Sequence, residues 1–470
     1  MMDRRAKIVC TIGPAVDTLE ALEGLVDAGM DVARLNFSHG DHSEHLRRLQ
    51  LVRQAAARRG KPVAVLQDLC GPKIRAGTFD PPKPMVVLGQ EVELIEGMHA
   101  KFPQFAIHEE GFASVLQPED RVLIDDGRIT LKVVSSDGVT VRCEAETAGE
   151  LRDRVGVYLP AKSVRTASFT EKDKEDLAFG LEQGVDYVAL SFVRAASDLQ
   201  ALRDFCAARG KRIPVISKIE TPQAIECIDA IVAASDGVMV ARGDLGVEFP
   251  PEEVPVLQKR IIALARKYRR PVIVATEMLQ SMVTATRPTR AEASDVAHAV
   301  FDDTDAVMLS AESATGKHPR LAVEMMARIV VQAERSIYRP ESRAAFREHT
   351  PLDESIAFNA ADIAEEVQAK VIVAFTMSGL TARLVSQARP KVPVVVFSPN
   401  EVTCRQASLF WGVEAILSPR VDRSEDMVGF ANKTLLERGK VKPGDLFVAV
   451  FGAPLGTGNS TNSITVRTAG

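Results

Sequence analysis

The feature that narrows the fold furthest is a rhythm of short apolar strands and amphipathic helices, broken once and then resumed. Lys7-Ile8-Val9-Cys10-Thr11-Ile12 reads as a buried strand, and Asp17 to Leu22 opens a helix that Gly29 stops. Residues 32–37 form the next strand. Asp41 with Glu44 has the spacing of a capping pair for a helix that runs to Gly60, and Val63-Ala64-Val65-Leu66 is the third strand. Such alternation implies parallel strands joined by helical crossovers.

From about Ile74 to Pro160 short strands appear with no long helix, among them Val86-Val87-Leu88, Val122-Leu123-Ile124, 129–133 and Val139-Thr140-Val141. Asp125-Asp126-Gly127 and Asp137-Gly138 are turn signals between them. This reads as a small β domain inserted in an α/β domain. The rhythm returns with strands at 186–192, 213–219, 237–241, 272–276 and 306–310, so three before the insertion and five after it make eight. Eight parallel βα units imply a closed (β/α)8 TIM barrel with its active site at the C-terminal ends of the strands. The insertion leaves the third strand on that face, where it can act as a lid. A Pro- and Arg-rich stretch, Tyr338-Arg339-Pro340-Glu341-Ser342-Arg343, precedes a second α/β pattern with strands at 371–375, 394–397, 415–417 and 446–451. The expected layout is a barrel domain at 1–73 and 162–340, a β lid at 74–161 and a C-terminal α/β three-layer domain at 341–470.

Composition removes several function classes. The net charge of −5 gives no reason to expect a nucleic-acid partner. No apolar run approaches the ~20 residues that cross a bilayer. Met1 to Arg5 leads directly into a strand without an apolar signal core. The six cysteines are scattered without metal-ligand spacing, as free thiols are in a cytosolic protein. The expectation is a cytoplasmic protein that engages neither membrane nor nucleic acid.

Polar residues collect where the barrel strands end. Arg34, Asn36 and Ser38 follow the second strand, Asp68 the third, Lys218 and Glu220 the fifth, Arg242, Gly243 and Asp244 the sixth, Thr276 the seventh, Ser310 and Glu312 the eighth. Solvent begins at strand ends, which accounts for one or two such residues but less easily for so many charged clusters. Lys218 and Glu220 share one side of a strand, either as a surface cross-link or as a working pair. With Asp244 they suit Mg²⁺, which takes few protein ligands and keeps water and phosphate oxygens in its shell. Lys218 would then neutralise a phosphoryl group in transit. Arg242-Gly243-Asp244 also spells an adhesion tripeptide, but no extracellular signature accompanies it. His39, His42 and His45 read as a solvated helix start more readily than as metal ligands, and Cys70 as a passive thiol.

The motifs Lys7-Ile-Val-Cys-Thr-Ile-Gly-Pro14, Ala33-Arg-Leu-Asn-Phe-Ser-His-Gly40, Ile216-Ser-Lys-Ile-Glu220, Val240-Ala-Arg-Gly-Asp-Leu-Gly246, Ala275-Thr-Glu-Met-Leu-Gln-Ser-Met282 and Pro288-Thr-Arg-Ala-Glu292 occur in one order along nearly the whole chain. Together they resemble the pyruvate kinase family. The resemblance implies a TIM barrel, a small β-barrel lid and a C-terminal α/β regulatory domain. It implies phosphoryl transfer from phosphoenolpyruvate to ADP, giving pyruvate and ATP, the final step of glycolysis. By position, Glu220 and Asp244 match the Mg²⁺ ligands, with Mn²⁺ as a substitute, and Lys218 matches the lysine that stabilises the moving phosphoryl group and the enolate. Thr276 and the backbone at Gly243 and Asp244 match contacts to the substrate carboxylate. Arg34 and Arg75 match phosphate-binding arginines, and Asn36, Phe37, Ser38 and His39 part of the nucleotide site. Thr276, Ser310 and a relayed water are the candidates for protonating the enolate. A phosphorylated effector and a homotetramer are the partners implied.

Three departures stand out. The K⁺-binding positions Asn36, Ser38, Asp68 and the Leu69 carbonyl are present, but Lys73 replaces an acid and can supply a fixed positive charge, so K⁺ is expected to be dispensable. The lid hinge reads Val155-Gly-Val-Tyr-Leu-Pro-Ala161 where the family commonly has Lys-Gly-Val-Asn-Leu-Pro-Gly; Arg154 is the remaining cation there. Ser310-Ala311-Glu312-Ser313 replaces Ser-Gly-Glu-Thr. In the C-terminal domain, Thr376-Met377-Ser378-Gly379-Leu380-Thr381 lies between a strand and a helix, either as a phosphate cradle or as a helix cap. The resemblance places an effector at Thr376, Ser378, Gly379 and Thr381, with 452–462 as a second wall, and Met377 brings no charge. Two rivals remain open at this point: another Mg²⁺–enolate barrel enzyme such as a lyase, and a non-catalytic sensor of sugar phosphate.

Overall fold

The computed structural model describes residues 4–125, 127–159, 167–336, 350–453 and 461–470. The expected domain limits at 161–162 and 340–341, the interdomain stretch 338–343 and most of the 452–462 loop fall outside those residues.

Eight parallel strands close the barrel: Lys7–Thr11, Val32–Asn36, Ala64–Asp68, Tyr187–Leu190, Val215–Ile219, Gly237–Ala241, Val272–Ala275 and Ala306–Leu309. Alternate side chains take opposite faces, as a strand requires. Val9, Val32, Leu66, Ala189, Ile216, Met239, Ile273 and Met308 fill the inside. Ile8, Cys10, Val65, Val188, Val215, Val240, Val274 and Leu309 pack outward on the helices. The helix His42–Arg59 starts where Asp41 accepts the Glu44 N–H, and ends at Gly60 in left-handed conformation. The first helix is capped by Thr18, one residue after the Asp17 at which the pattern opened.

A fourfold pattern holds the N-terminal rim. Asp31, Asp186, Asp236 and Asp305 immediately precede the even-numbered strands. Each accepts the backbone N–H of a preceding odd strand, from Ile8, Val65, Val215 and Val272 respectively. Each also binds an arginine: Arg4, Arg53, Arg203 and Arg389. Asp186 additionally takes Arg405, so two of the four aspartates tie the barrel to the C-terminal domain. The barrel interior and that domain's core form one continuous apolar cluster.

The insertion is a six-stranded mixed sheet with two two-stranded companions. Arg75 pairs with Gly156 and Ala76 with Ile107, bridging the two edges of the large sheet and curling it towards a barrel. The strand expected at 86–88 is only Met85–Val86, since Val87 and Leu88 are exposed and Gly89 turns the chain at φ 76°. Strands at Glu91–Glu96, His99–Lys101 and Gln104–Ile107 were not foreseen. The C-terminal domain has a five-stranded sheet, in which Ser463–Thr468 adds an unforeseen antiparallel edge. Among the described residues no helix is long and apolar enough to cross a membrane.

Candidate active site

At the C-terminal mouth of the barrel, Arg34 Nε donates to Asp68 Oδ2 at 2.6 Å and its Nη1 to Thr11 Oγ1 at 3.0 Å. Lys218 Nζ donates to Ser191 Oγ at 2.7 Å, and stands 3.3 Å from Glu220 Oε2 and 3.6 Å from Asp68 Oδ1. Glu220 is fully buried and its Oε1 accepts the Phe192 N–H at 2.6 Å. Asp244 sits in the first turn of the short helix Arg242–Glu248, and its Oδ1 accepts the Tyr158 hydroxyl at 3.0 Å. Thr276 has φ 70°, a strained conformation for a β-branched residue. Its Oγ1 accepts the Gly243 N–H at 2.7 Å and donates to Ala275 O at 2.6 Å, while Arg242 Nη2 grips its carbonyl. Sequence-predicted Lys218, Glu220, Asp244, Arg34, Asp68, Gly243 and Thr276 therefore share one mouth.

One ammonium sits among three carboxylates in this mouth. Burial pushes the Lys218 ammonium down, but Asp68, Glu220 and Asp244 outweigh it and hold it charged, above its ordinary value. Burial raises Glu220 to about 7 against the pull of Lys218, with Asp244 adding to the rise. Glu220 Oε2 and Asp68 Oδ1 are buried without a hydrogen-bond donor. Carboxylate oxygens are hard donors of the kind that Mg²⁺ accepts, and Mg²⁺ needs only one or two of them when water and phosphate complete its shell.

The residues expected to bind K⁺ by resemblance make contacts of their own. Asn36 Oδ1 accepts the Ser38 N–H at 3.2 Å, and the Leu69 carbonyl accepts the Ser191 hydroxyl at 2.7 Å. Lys73 Nζ lies 6.0 Å from the Tyr158 ring centre, and Gly156 approaches its side chain. Burial and the cations of Arg75, Lys73 and Arg34 hold the His39 imidazole below its ordinary value, so the residues expected to contact nucleotide share a basic corner. Arg75 Nη1 donates to Arg154 O at 3.2 Å. Phe37 departs from its neighbours: its ring is core, stacked on His45 at 3.9 Å.

Some residues turn out to be structural. Glu312 is buried, accepting the Leu279 and Ser310 N–H groups. Arg242 pairs with both oxygens of Asp295. His42 binds Asp176 and stacks on Phe179, and no metal-binding group of three or more His, Cys, Asp or Glu side chains occurs among the described residues. Ser191, Phe192 and Tyr158 were missed. Ser191 had a signal, since it directly follows the fourth strand as other polar residues follow theirs. Tyr158 reaches Asp244 across the lid cleft, which no local pattern announces.

In the C-terminal loop, Thr376 Oγ1 accepts the Gly379 N–H at 2.9 Å and Thr381 shares a hydrogen bond with Thr461 at 2.8 Å. Both threonines are buried, whereas Ser378 and Met377 are exposed.

The family described as "Pyruvate kinase, barrel domain" matches residues 3–323, and "Pyruvate kinase, alpha/beta domain" matches 354–467. Pyruvate kinase of Corynebacterium glutamicum is 44% identical over 475 residues, spanning 100% of this chain and 98% of its own. Pyruvate kinase of Mycobacterium tuberculosis is 44% identical over 472 residues, spanning 100% and 99%. The crystal structure of a pyruvate kinase from Cryptosporidium parvum superimposes with a TM-score of 0.94 at 35% identity, covering 100% of this chain and 97% of that one.

Proposed function

Given that the chain belongs to the pyruvate kinase family of phosphotransferases, we propose that the Lys218–Glu220–Asp244 cluster carries Mg²⁺-dependent transfer of a phosphoryl group from phosphoenolpyruvate to ADP. The observation that supports this most is the pair of buried carboxylate oxygens, Glu220 Oε2 and Asp68 Oδ1, that flank the Lys218 ammonium without a hydrogen-bond donor.

Glu220 and Asp244 would hold the divalent ion, which supplies charge neutralisation for the phosphate oxygens. Lys218, held charged by its carboxylate neighbours, faces the phosphoryl group and then the enolate oxygen left behind. Arg34, fixed by Asp68 and Thr11, presents its remaining donors to phosphate. Gly243 and Thr276 orient the substrate carboxylate. The nucleotide would lie along Asn36, Ser38, His39 and Arg75, with Phe37 contributing through its backbone. Protonation of the enolate falls to Thr276, to Ser310, whose buried hydroxyl oxygen has no partner, or to a relayed water. A coupled assay for pyruvate formation with phosphoenolpyruvate, ADP and Mg²⁺ tests the reading; chelation of the metal should abolish turnover.

Two finer points belong to the same proposal. K⁺ is dispensable, because Lys73 brings a fixed ammonium beside the nucleotide corner. The loop Thr376–Thr381 receives a phosphorylated effector through Ser378 and the Gly379 region, while Thr376 and Thr381 serve as its frame. Loss of an effector response in Ser378→Ala tests this. The working unit is a homotetramer acting in the cytoplasm, which rests on family resemblance; sedimentation tests the assembly.

A further inference from the structure

Tyr158 occupies the lid position where the family pattern has asparagine, and its environment gives it a task. Its backbone belongs to the lid: Val157 and Tyr158 pair with Ile124 and Leu123, and Val157 N–H donates to Ile74 O at 3.0 Å. Its ring is buried, and with Lys73, Phe192, Arg194, Gln223 and Glu248 it lines a cleft between lid and barrel. Its hydroxyl ends on Asp244 Oδ1 at 3.0 Å, on the barrel side. Asp244 in turn follows Gly243, whose N–H is pinned to Thr276. One hydrogen bond thus connects the lid sheet to the substrate-carboxylate corner.

We infer that Tyr158 is a positioning residue that latches the lid to the metal-binding carboxylate of Asp244, so that divalent-cation binding and lid closure form one linked equilibrium. The inference rests on the reading of Glu220 and Asp244 as the divalent site. A neutral hydroxyl suits the role. It fixes the carboxylate through one oxygen without cancelling the charge that the cation needs, as outer-shell partners of metal ligands do. Linkage is reciprocal: if the seated lid orients Asp244 and raises cation affinity, the cation must favour the seated lid by the same factor.

The test uses the full chain and Mn²⁺ as probe, with affinity from electron paramagnetic resonance and lid seating from hydrogen exchange at 121–124 and 157–158. Wild type should bind Mn²⁺, and binding should slow exchange in both lid segments. Tyr158→Phe keeps the ring and its packing; it should bind Mn²⁺ about tenfold more weakly and lose the exchange response. If Asp244→Asn binds Mn²⁺ as wild type does, the divalent-site reading falls and the latch with it. If Asp244→Asn abolishes binding but Tyr158→Phe matches wild type in affinity and lid exchange, the latch alone is overturned. Should Tyr158→Phe fold poorly, wild type still decides: Mn²⁺ saturation with unchanged lid exchange overturns the latch.

Discussion

Lys218 Nζ donates to Ser191 Oγ at 2.7 Å, and the same hydroxyl donates onward to the Leu69 carbonyl at 2.7 Å. The ammonium is thus aimed by a neutral anchor while Asp68, Glu220 and Asp244 supply its counter-charge. Charge and aim are provided by different groups, so they separate by mutation. Lys218→Gln should lower kcat by about 10³-fold or more, the loss typical of removing a donor to developing charge. Ser191→Ala should leave the charge and blur its position, costing about tenfold to a hundredfold in kcat. Steady-state kinetics with phosphoenolpyruvate varied reads both. Equal rates in Lys218→Gln and wild type would remove Lys218 from the chemistry.

Lys73 stands near His39, at the corner proposed for nucleotide, and shares a wall with Tyr158. If its ammonium replaces a monovalent cation, wild type should turn over in K⁺-free buffer without saturable K⁺ activation. Lys73→Glu should create K⁺ dependence. A large K⁺ activation of wild type contradicts this account.

The four rim aspartates differ in burial: Asp186 and Asp305 are 0% exposed, whereas the Asp236 side chain is 32% exposed. Asp305→Ala takes the carboxylate from Arg389, itself buried, and also removes the acceptor for Val272 N–H and Gln387. It should cost about 3–5 kcal/mol in urea unfolding, the range for breaking a buried pair. Asp236→Ala, whose partner Arg203 can reach water, should cost about 1 kcal/mol. Equal costs would show that the rim pairs do not depend on burial.

His45 stacks on Phe37, and its Nε2 contacts the His39 carbonyl at 2.9 Å. Its Nδ1 is buried without a partner, so a second proton has nowhere favourable to go. Burial first, then Arg48, lowers the imidazole to about 4 from 6.5. The unfolded chain therefore binds the proton before the native one does. Stability from this group is complete above pH 6.5, declines as pH falls to about 4, and is flat below. The decline should amount to at most about 3 kcal/mol. His45→Gln should lack it when unfolding free energies are compared across that window.

The barrel was legible because its strands are buried on both faces and read as unbroken apolar runs, as in Val272–Ala275. The convergence of Lys218, Glu220 and Asp244 was legible because charge gathers at the C-terminal ends of neighbouring strands, where burial is costly unless the groups pair. Half-exposed elements carried less signal. Ser463–Thr468 pairs along only one edge and exposes Arg467, and Glu91–Glu96 alternates acids with Val92 and Leu94. The rim aspartates recur before Val32, Tyr187, Gly237 and Ala306, a repeat visible only once strand ends are known. The tyrosine in the lid hinge was visible, but its contact was not, because its partner Asp244 lies 86 residues away across a cleft.

The most direct test of metal-assisted phosphoryl transfer at one shared site is pyruvate formation from phosphoenolpyruvate and ADP, followed as Mg²⁺ is removed and restored in wild type and in Glu220→Gln. Wild-type turnover should vanish on chelation and return with Mg²⁺. Glu220→Gln should stay at least about 10³-fold slower even at high Mg²⁺. Turnover that survives chelation, or a Glu220→Gln rate equal to wild type, would contradict the account.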